Sequence, residues 1–411
     1  MHILLIHQYF LEDQAGGGSR WNEMSRIWIE EGHTVTVLAG MGHYMHVTSD
    51  YNGGRYFLKQ TNRDGVKVVR CYVSNSSDGQ FLSRVFAQFS FLFSAVWGGL
   101  FYARDKYDIV LCTSPPLFAG VAGLLISWIK GVDYVFEIRD LWPESAIETG
   151  VLKNKTFIRA AFWLEKFLYK KAKAINVLTP AFETTLIEQK RINPGKLWLI
   201  PNASDFKLSD EVSRTFDRNI LRKELGWEGR FVVIYVGAHG IANHLIQIIE
   251  AAELLQNTTA HFMLIGDGAE KAYLMEETKR RNLNNVRFKD TVSKADVFKY
   301  ILAADAGASV LMKTDVFKTV YSNKTFDYFA CRKPVLLAID GVSRELVEAA
   351  DAGMFIEPEN PKDFSEKILI YLKNPARALR HGSNGHAYAR EHFDREFLAR
   401  EYLKNIQKLL E

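Results

Sequence analysis

The sequence lacks the short motifs that mark the common metal-dependent and serine enzymes. It contains no Asp-x-Asp pair, no His-Glu-x-x-His segment and no Gly-x-Ser-x-Gly turn. Its 11 histidines are scattered and show no metal-site spacing. The sequence therefore predicts no bound metal, and it gives no support to metallopeptidase or serine-hydrolase chemistry.

Cysteine is scarce, and so is an excess of charge of either sign. Cys71, Cys112 and Cys331 lie far apart, and no Cys-x-x-Cys pair is present. This pattern argues against a disulfide scaffold or a zinc finger, and it favours reduced thiols in a cytoplasmic protein. The net charge of +4 is small for 411 residues and does not indicate a nucleic-acid-binding protein.

The composition of the sequence, and its alternation of strand and helix patterns, are typical of a large α/β protein. The sequence is 47% hydrophobic and 24% charged, which is typical of globular proteins. A chain of 411 residues is too long for one ordinary hydrophobic core. Apolar strands alternate with helical patterns, beginning with a buried strand at Ile3–His7 and restarting at residues 231–236. We predict two doubly wound parallel-sheet domains, with the polar stretch Asn202–Asn219 as their linker. Ligands of such folds bind at the carboxyl ends of the strands.

Two segments bear on membrane association. The run from Val85 to Ala103 is uncharged and approaches the length of a bilayer span. Polar residues dilute it, and a span would separate strands that one sheet needs together, so we predict a helix that is part core and part interfacial. The segment Lys153–Lys173 combines lysines with aromatic residues, which anionic lipid surfaces attract. We expect a peripheral protein at the inner face of the cell membrane; an ordinary solvated helix is the alternative.

Three strand-to-helix turns contain closely spaced glycines, namely Gly16–Gly18, Gly237–Gly240 and Gly266–Gly268. Glycine lets a backbone approach a ligand closely, and the amides at a helix N-terminus favour an anion. No turn has the spacing of a dinucleotide fingerprint or a P-loop. Each is therefore a candidate ligand contact, and a flexible or capping turn is the alternative.

The second and third of these turns carry polar side chains. We expect a phosphate on the amides of Gly240 and Ile241, where a long helix is predicted to begin. His239 or Asn243 can add a hydrogen bond. Asp267 is placed to cap the helix that follows the third turn, with contact to a donor molecule as its second possible role.

The segment Tyr321–Leu337 holds a cation and an acid one helical turn apart. Lys324 and Asp327 are three residues apart, so they lie on neighbouring faces of one turn. Lys324 can add its charge to helix amides that already favour a phosphate, and Asp327 can accept hydrogen bonds from a diol such as a ribose. One short helix can thus hold both ends of a sugar nucleotide. A surface salt bridge between the two residues is the alternative.

Polar residues follow strands at two further places. Arg139 and Asp140 come directly after an apolar strand and are candidate acceptor-side or catalytic groups. An Arg–Asp pair that fixes the loop is the alternative. Asn202 lies at the predicted domain junction, where it can act as a hinge or contact a ligand.

In their order along the chain, these segments resemble the retaining glycosyltransferases of the GT-B fold, family 4, over essentially the whole length. The segments are Gly16–Gly18, GHTVTVLAG at 32–40, RDLWP at 139–143, LIPNASDF at 199–206, YVGAHG at 235–240, LIGDGAE at 264–270, NVRFKDTVS at 285–293 and SNKTFDYFACRKPVLL at 322–337. Within the family, the chain looks most like bacterial enzymes that add N-acetyl-L-fucosamine in O-antigen or capsule assembly.

The resemblance implies two Rossmann-like domains facing a central cleft. Residues 1–205 would form the acceptor-side domain, with a C-terminal helix at about residues 393–411 packing back on it. Residues 206–392 would bind the nucleotide sugar. Asp327 matches the second acid of the family's pair and is expected to hold the ribose hydroxyls, whereas Thr319 stands where the first acid is usual.

The chain also departs from the family after the strand that ends at Val236. The family usually has a diphosphate-binding Arg and Lys there, and this chain has His239, Asn243 and His244 instead. We therefore expect Lys324 and the Gly240 turn to stabilise the diphosphate. The expected catalytic residues are Arg139, Asp140 and Lys324. The expected donor-binding residues are Gly17, Gly18, Asn202, Gly237, His239, Gly240, Asn243, Gly266, Asp267, Gly268, Val292, Ser322, Asn323, Lys324 and Asp327.

The resemblance implies metal-independent, retaining transfer without a cofactor. The donor would be a nucleotide-diphosphate sugar, with UDP as the expected nucleotide, and the acceptor a polyprenyl-diphosphate-linked saccharide at the membrane surface. Two alternatives remain. A nucleotide-sugar epimerase or hydrolase on this fold would need an acid–base pair, for which His7, Glu137 and His239 are candidates. A non-catalytic, membrane-associated subunit would bind the nucleotide sugar without turnover.

Overall fold

The computed structural model describes residues 1–13, 15–41, 56–74 and 81–411. By their contacts, these residues form two compact units. The first unit holds residues 1–13, 396–411 and the described part of 19–201. The second unit holds residues 15–18 and 202–395.

The first unit is built on an eight-stranded sheet. Its strands are β1 (His2–Ile6), β2 (Thr34–Gly40), β3 (Phe57–Thr61), β4 (Lys67–Cys71), β5 (Ile109–Ser114), β6 (Asp133–Ile138), β7 (Ala174–Val177) and β8 (Leu197–Leu199). They lie in the order β3-β4-β2-β1-β5-β6-β7-β8, and every neighbouring pair is parallel except β3 and β4. The central strands are nearly continuous apolar runs, as expected where helices cover both faces.

The helices of this sheet are α1 (Arg20–Glu30), α2 (Phe81–Phe101), α3 (Leu117–Lys130), α4 (Glu144–Glu148), α5 (Lys155–Lys171) and α6 (Pro180–Glu188). The crossover from β1 to β2 runs towards one edge of the sheet, whereas those from β4 through β5 and β6 to β7 run towards the other. Because such crossovers are right-handed, α1 lies on one face, and α2, α3 and α5 form a layer on the opposite face. Within this layer α3 packs against both α2 and α5.

The second unit contains a six-stranded, all-parallel sheet. Its strands are β9 (Phe231–Val236), β10 (Ala260–Ile265), β11 (Val286–Lys289), β12 (Ala306–Val310), β13 (Val335–Ala338) and β14 (Gly353–Phe355), and their order is β11-β10-β9-β12-β13-β14. Its helices are α7 (Phe206–Thr215), α8 (Arg218–Glu224), α9 (Ile246–Leu254), α10 (Lys271–Arg280), α11 (Lys294–Ala303), α12 (Asn323–Ala330), α13 (Val342–Ala349), α14 (Pro361–Lys373) and α15 (Pro375–His392).

The predicted pair of doubly wound parallel-sheet domains is confirmed, but the predicted linker was wrong. Most of Asn202–Asn219 is helical, comprising α7 and the beginning of α8. The polar surface of α7 concealed an apolar face, because Phe206 and Val212 are buried in the core of the second unit beside Trp227. The Asp205 side chain caps α7 by accepting a hydrogen bond from the Leu208 amide.

The last helix, α16 (Arg395–Leu410), packs on α1. The Trp28 indole donates a hydrogen bond to the Ala399 carbonyl at 2.9 Å, and Tyr402 packs edge-on against Trp21. In the described part of the chain, no helix combines the length and apolar character needed to cross a bilayer.

Candidate active site

The candidate site is organised around the turn that follows β9, a central strand of the second sheet. Gly237 has φ = 145°, in the region that favours glycine, and its amide donates to the Ile265 carbonyl of β10 at 3.0 Å. A β-carbon at Gly237 would lie 3.3 Å from Lys324 Cε and 3.4 Å from the Tyr235 hydroxyl. The turn therefore lies directly against Lys324, which comes from α12.

Lys324 is the second residue of α12, which confirms its predicted place on a helix beside the first amides. Its Nζ lies 5.0 Å from the ring centroid of Tyr235 and 3.5 Å from Ser322 Oγ. Among the described residues no carboxylate lies within ion-pair distance of this ammonium group. Burial lowers the pKa of Lys324 to about 8, and the charge of Asp327 opposes this shift. A poorly solvated cation and the free amides of a helix N-terminus together form a suitable site for an anion.

A hydroxyl network holds the start of α12. Ser309 Oγ on β12 donates to Ser322 Oγ at 2.7 Å, and the Ser322 amide donates to Ser343 Oγ at 3.3 Å. Ser343 Oγ in turn donates to the Val320 carbonyl at 2.7 Å. Sequence reasoning identified Ser322 and Asn323 but missed Ser309 and Ser343, because residues of separate strands and helices meet here only in the folded chain.

Asp327 has an ion-pair partner that the sequence did not reveal. Lys294, the first residue of α11, donates to Asp327 Oδ1 at 2.7 Å. The alternative prediction of a salt bridge between Lys324 and Asp327 is therefore wrong, and Lys294 occupies that role. The expected contact of Asp327 with ribose hydroxyls stays a prediction. Thr319, at the place of the family's first acid, donates to the Val316 carbonyl at 2.6 Å.

The Gly266–Gly268 turn packs on the Gly237 turn. A β-carbon at Gly266 would lie only 1.9 Å from the Gly237 carbonyl oxygen, so the two backbones meet where a side chain has no room. The His239 amide donates to the Asp267 carbonyl at 2.8 Å. The predicted N-cap role of Asp267 was wrong, since α10 begins at Lys271, and Asp267 Oδ1 instead accepts from the Gly268 amide.

His239 lies beneath these turns and is fully buried. Among the described residues, neither ring nitrogen has a hydrogen-bond partner. Burial first, and then the positive charge of Lys271, lowers the pKa of His239 to about 4, so its imidazole is neutral at pH 7. The side chain therefore offers no positive charge to a diphosphate; its contact with the donor stays a prediction.

The helix expected to begin near Ile241 begins later. Ile241–Asn243 form a short 3-10 helix, His244 has φ = 44°, and α9 begins at Ile246. The left-handed residue separates the two helical pieces, so the amide of Gly240 does not open an α-helix. The helix-amide part of the predicted phosphate contact at Gly240 and Ile241 was therefore wrong. Asn243 lies in the short helix, and its contact with the donor stays a prediction.

By its contacts, the glycine loop after β1 belongs to the second unit. A β-carbon at Gly16 would lie 2.2 Å from the Val292 carbonyl oxygen, so this loop touches the segment after β11. Gly17 has φ = 143°, and Gly18 precedes α1. Asn202 is buried, and in the described structure its side-chain oxygen has no hydrogen-bond partner. The roles expected for these residues stay predictions.

In the first unit, Arg139 and Asp140 follow β6 at the carboxyl edge of the sheet, as predicted. Ser145 Oγ of α4 donates to Asp140 Oδ2 at 2.7 Å, while Oδ1 is buried and, among the described residues, has no partner. Burial raises the pKa of Asp140 to about 6. A carboxyl group perturbed in this way at a strand end is typical of functional sites.

Glu137, one candidate base for an epimerase, accepts hydrogen bonds within a buried network. Arg20 donates to the Glu137 carboxylate from Nε and from NH2, each at 3.0 Å, and the side-chain amide of Asn176 donates to it at 2.9 Å. The Glu137 side chain has no exposed surface. This network, which sequence reasoning missed, leaves Glu137 unsuited to acid–base work on a sugar.

The described residues contain no cluster of three or more His, Cys, Asp or Glu side chains that could hold a metal ion. The cations near the packed glycine turns include Lys324, which lies against Gly237, and Lys271, whose Nζ donates to the Gly266 carbonyl at 2.9 Å. Asp327, three residues after Lys324 on α12, pairs with Lys294. This arrangement can bind an anion and present a carboxylate beside it.

Two family descriptions match this chain. Residues 15–203 match the family Glycosyl transferase 4-like domain, and residues 217–388 match Glycosyl transferases group 1. A putative colanic acid biosynthesis glycosyl transferase of Escherichia coli K12, WcaI, is 22% identical over 416 residues, covering 99% of this chain and 100% of that protein. A probable glycosyltransferase of Pseudomonas aeruginosa, WbjE, is 27% identical over 296 residues, covering 70% of this chain and 71% of that protein.

Solved structures share the fold. HepE of Anabaena in complex with UDP and glucose is 18% identical with a TM-score of 0.73, covering 99% of this chain and 100% of that chain. Sucrose-phosphate synthase of Thermosynechococcus elongatus is 17% identical with a TM-score of 0.75, covering 99% of this chain and 98% of that chain. The glycosyltransferase WaaG, involved in lipopolysaccharide biosynthesis, is 16% identical with a TM-score of 0.71, covering 99% of each chain.

These likenesses show that the chain has the GT-B fold. The family matches of residues 15–203 and 217–388, which together span most of the sequence, identify the chain as a glycosyltransferase.

Proposed function

We propose that this chain is a family 4 hexosyltransferase that moves an N-acetylated deoxy-amino sugar, N-acetyl-L-fucosamine, from a UDP-activated donor to a polyprenyl-diphosphate-linked saccharide. The transfer belongs to bacterial surface polysaccharide assembly, in O-antigen or capsule. It retains the anomeric configuration and uses no metal. The enzyme is cytoplasmic and works at the inner face of the cell membrane.

One observation carries the proposal: the ammonium group of Lys324 lies against the Gly237 turn with no carboxylate partner among the described residues. Leaving a poorly solvated charge uncompensated costs free energy, and a diphosphate would supply the missing opposite charge. Lys324 thereby takes the place of the Arg and Lys that related enzymes use after this strand. The pair of Lys294 and Asp327 holds a carboxylate one helical turn away, where the ribose hydroxyls would bind.

The proposed chemistry is electrostatic. The bond from the anomeric carbon to the diphosphate oxygen breaks as the acceptor oxygen attacks from the same face. Negative charge grows on the leaving diphosphate, where Lys324 and the turn amides stabilise it. An oxygen of the leaving diphosphate takes the acceptor proton, and Arg139 and Asp140 align the acceptor.

The relatives support the setting of this reaction. WcaI is named for colanic acid biosynthesis, WaaG is described as acting in lipopolysaccharide biosynthesis, and HepE was solved with UDP and glucose. These descriptions favour a UDP-activated sugar and a bacterial polysaccharide product. The lipid-linked acceptor is favoured by the aromatic and basic segments of the first unit.

A thermal-shift screen of UDP, GDP, ADP and CMP in the presence of EDTA tests the donor. We expect UDP alone to stabilise the protein, by about 2.7 kcal/mol at 100 times its dissociation constant. Incubation with UDP-sugars and a lipid-linked acceptor should then yield a product with retained anomeric configuration. Stabilisation by none of the nucleotides, or only after a divalent metal is added, would contradict the proposal.

A further inference from the structure

The layer formed by α2, α3 and α5 presents large apolar side chains to solvent. On α2, Phe86, Phe93 and Trp97 project from one stripe and are 67%, 71% and 55% exposed. Trp128 at the end of α3 and Trp163 on α5 are exposed as well. Isolated exposed aromatic residues are ordinary, but several on one helical layer mark an interaction surface.

The same layer carries positive charge and almost no negative charge. The exposed cations of α5 are Lys155, Arg159, Lys166, Lys170 and Lys171. The single acid of α5, Glu165, is buried and accepts a hydrogen bond from Lys190. Neither α2 nor α3 contains an aspartate or a glutamate. The outer surface is therefore complementary to an anionic partner.

Cations and aromatic rings interleave across the layer. Trp163 stacks on Phe167 with ring centroids 5.7 Å apart. The Lys171 Nζ lies 5.9 Å from the Phe167 ring centroid and 5.6 Å from that of Trp128 on α3. Side chains with an apolar body and a charged or polar tip suit the boundary between lipid headgroups and hydrocarbon.

We infer that α2, α3 and α5 form a docking surface for an anionic phospholipid bilayer. The aromatic stripe of α2 and the rings of Trp128 and Trp163 enter the interface, and the cations of α5 lie among the headgroups. This inference rests on the proposed function for its purpose, since a lipid-linked acceptor lies at such a surface, but its evidence is independent of the donor site.

A second copy of the chain suits this surface less well. A symmetric dimer buries the same patch on both subunits, so the cations of one α5 would face those of the other. A bilayer containing phosphatidylglycerol supplies the opposite charge instead. Each cation near such a surface strengthens binding about fivefold, as follows from about 1 kcal/mol per charge.

Flotation of the full chain with vesicles tests the inference. Vesicles of phosphatidylcholine alone are compared with vesicles that also contain phosphatidylglycerol. The wild type should float with the anionic vesicles, and the double variant K166Q/K170Q should bind them about 30-fold more weakly. The matched control K404Q/K408Q, on α16 at the other face of the sheet, should bind like the wild type.

A second variant separates ring insertion from charge. F93S/W163S removes two exposed rings and should bind the anionic vesicles about 100-fold more weakly while keeping the salt dependence of the wild type. Lipids with brominated chains should quench tryptophan fluorescence in the wild type and less in this variant. All variants should keep the UDP-induced thermal shift, so loss of vesicle binding is distinguishable from failure of the donor site.

Three outcomes would overturn the inference. The wild type does not float with anionic vesicles; the variants and the control bind them equally; or the wild type is a dimer without vesicles and F93S/W163S makes it a monomer. The last result would assign the surface to a second copy of the chain. A protein that floats as expected but ignores UDP would contradict the proposed function and leave the docking surface standing.

Discussion

The ammonium group of Lys324 lies 5.0 Å from the ring centroid of Tyr235, at the end of β9. A cation over an aromatic face is partly stabilised by the ring, yet burial still lowers the pKa of Lys324 to about 8. The charge is thus held in place without being neutralised. This is the state expected of a group that awaits an anionic ligand.

The lowered pKa predicts how donor binding depends on pH. As pH rises through about 8, the unliganded enzyme loses the charge of Lys324, so the affinity for UDP should fall between pH 7.5 and 9.5. Calorimetric titration across this range measures the effect. Lys324→Met should bind weakly at every pH, and an equally steep fall in that variant would assign the titration to another group.

The pair of Lys294 and Asp327 predicts coupled effects on the donor. Lys294→Met removes the positive charge that lies against the partly buried Asp327 carboxylate, and Asp327→Asn removes the negative charge that lies against Lys294. A double-mutant cycle on the Michaelis constant for the donor should give a coupling energy of about 0.5–3 kcal/mol. Lys299 and Asp296, an exposed pair on α11, provide a matched control pair with little coupling. Additive effects at positions 294 and 327 would show that the pair does not act as a unit.

Gly266 should tolerate alanine far less well than another glycine of the same unit. Both Gly266 and Gly229 have positive φ, but a β-carbon at Gly229 meets no atom within 4 Å, whereas at Gly266 it meets the Gly237 carbonyl at 1.9 Å. Alanine tolerates φ = 67° at Gly229 better than φ = 146° at Gly266, so the difference measures the clash together with the greater backbone strain at Gly266. We expect this difference to be about 1–3 kcal/mol or more in the free energy of unfolding. Chemical denaturation of the two variants provides the comparison. Equal losses would mean that the turns at Gly237 and Gly266 separate easily.

We predict that Asp140 lowers the stability of the fold at neutral pH and supports the transfer reaction. Its folded pKa of about 6 lies above the ordinary value of about 3.9, so the folded state binds more protons between these pH values. The stability that this group contributes is therefore present at about pH 4 and is lost as pH rises through about 6. Asp140→Asn should raise the melting temperature at pH 7.5, flatten this pH dependence and lower the transfer rate. A melting temperature that falls at pH 7.5 would mean that the ionised carboxylate is stabilised by its surroundings.

Much of the fold could be predicted because the central strands are apolar runs separated by helical patterns. The predicted limits of β9, residues 231–236, agree with the structure at both ends. β3 was missed because FLKQT at the sheet edge is polar and half exposed. The region of α7 was mistaken for a linker because its apolar residues are few and widely spaced.

The candidate site was less predictable than the fold. The position of Lys324 followed from local spacing on one helix, and the structure places it against the Gly237 turn. The partner of Asp327 did not follow, because Lys294 lies on another helix and the two meet only after folding. The burial of His239 could not be foreseen either, since it depends on the Gly266–Gly268 turn closing over it.

The most direct test of the central claim is the turnover of Lys324→Ala with a UDP-sugar donor in EDTA. We expect the wild type to be fully active without metal, and the variant to lose about 10²–10³-fold in kcat because the leaving diphosphate loses its cation. Lys318→Ala, at an exposed neighbouring lysine, should be unchanged. Unchanged kcat and donor affinity in Lys324→Ala, or wild-type activity abolished by EDTA, would contradict the claim.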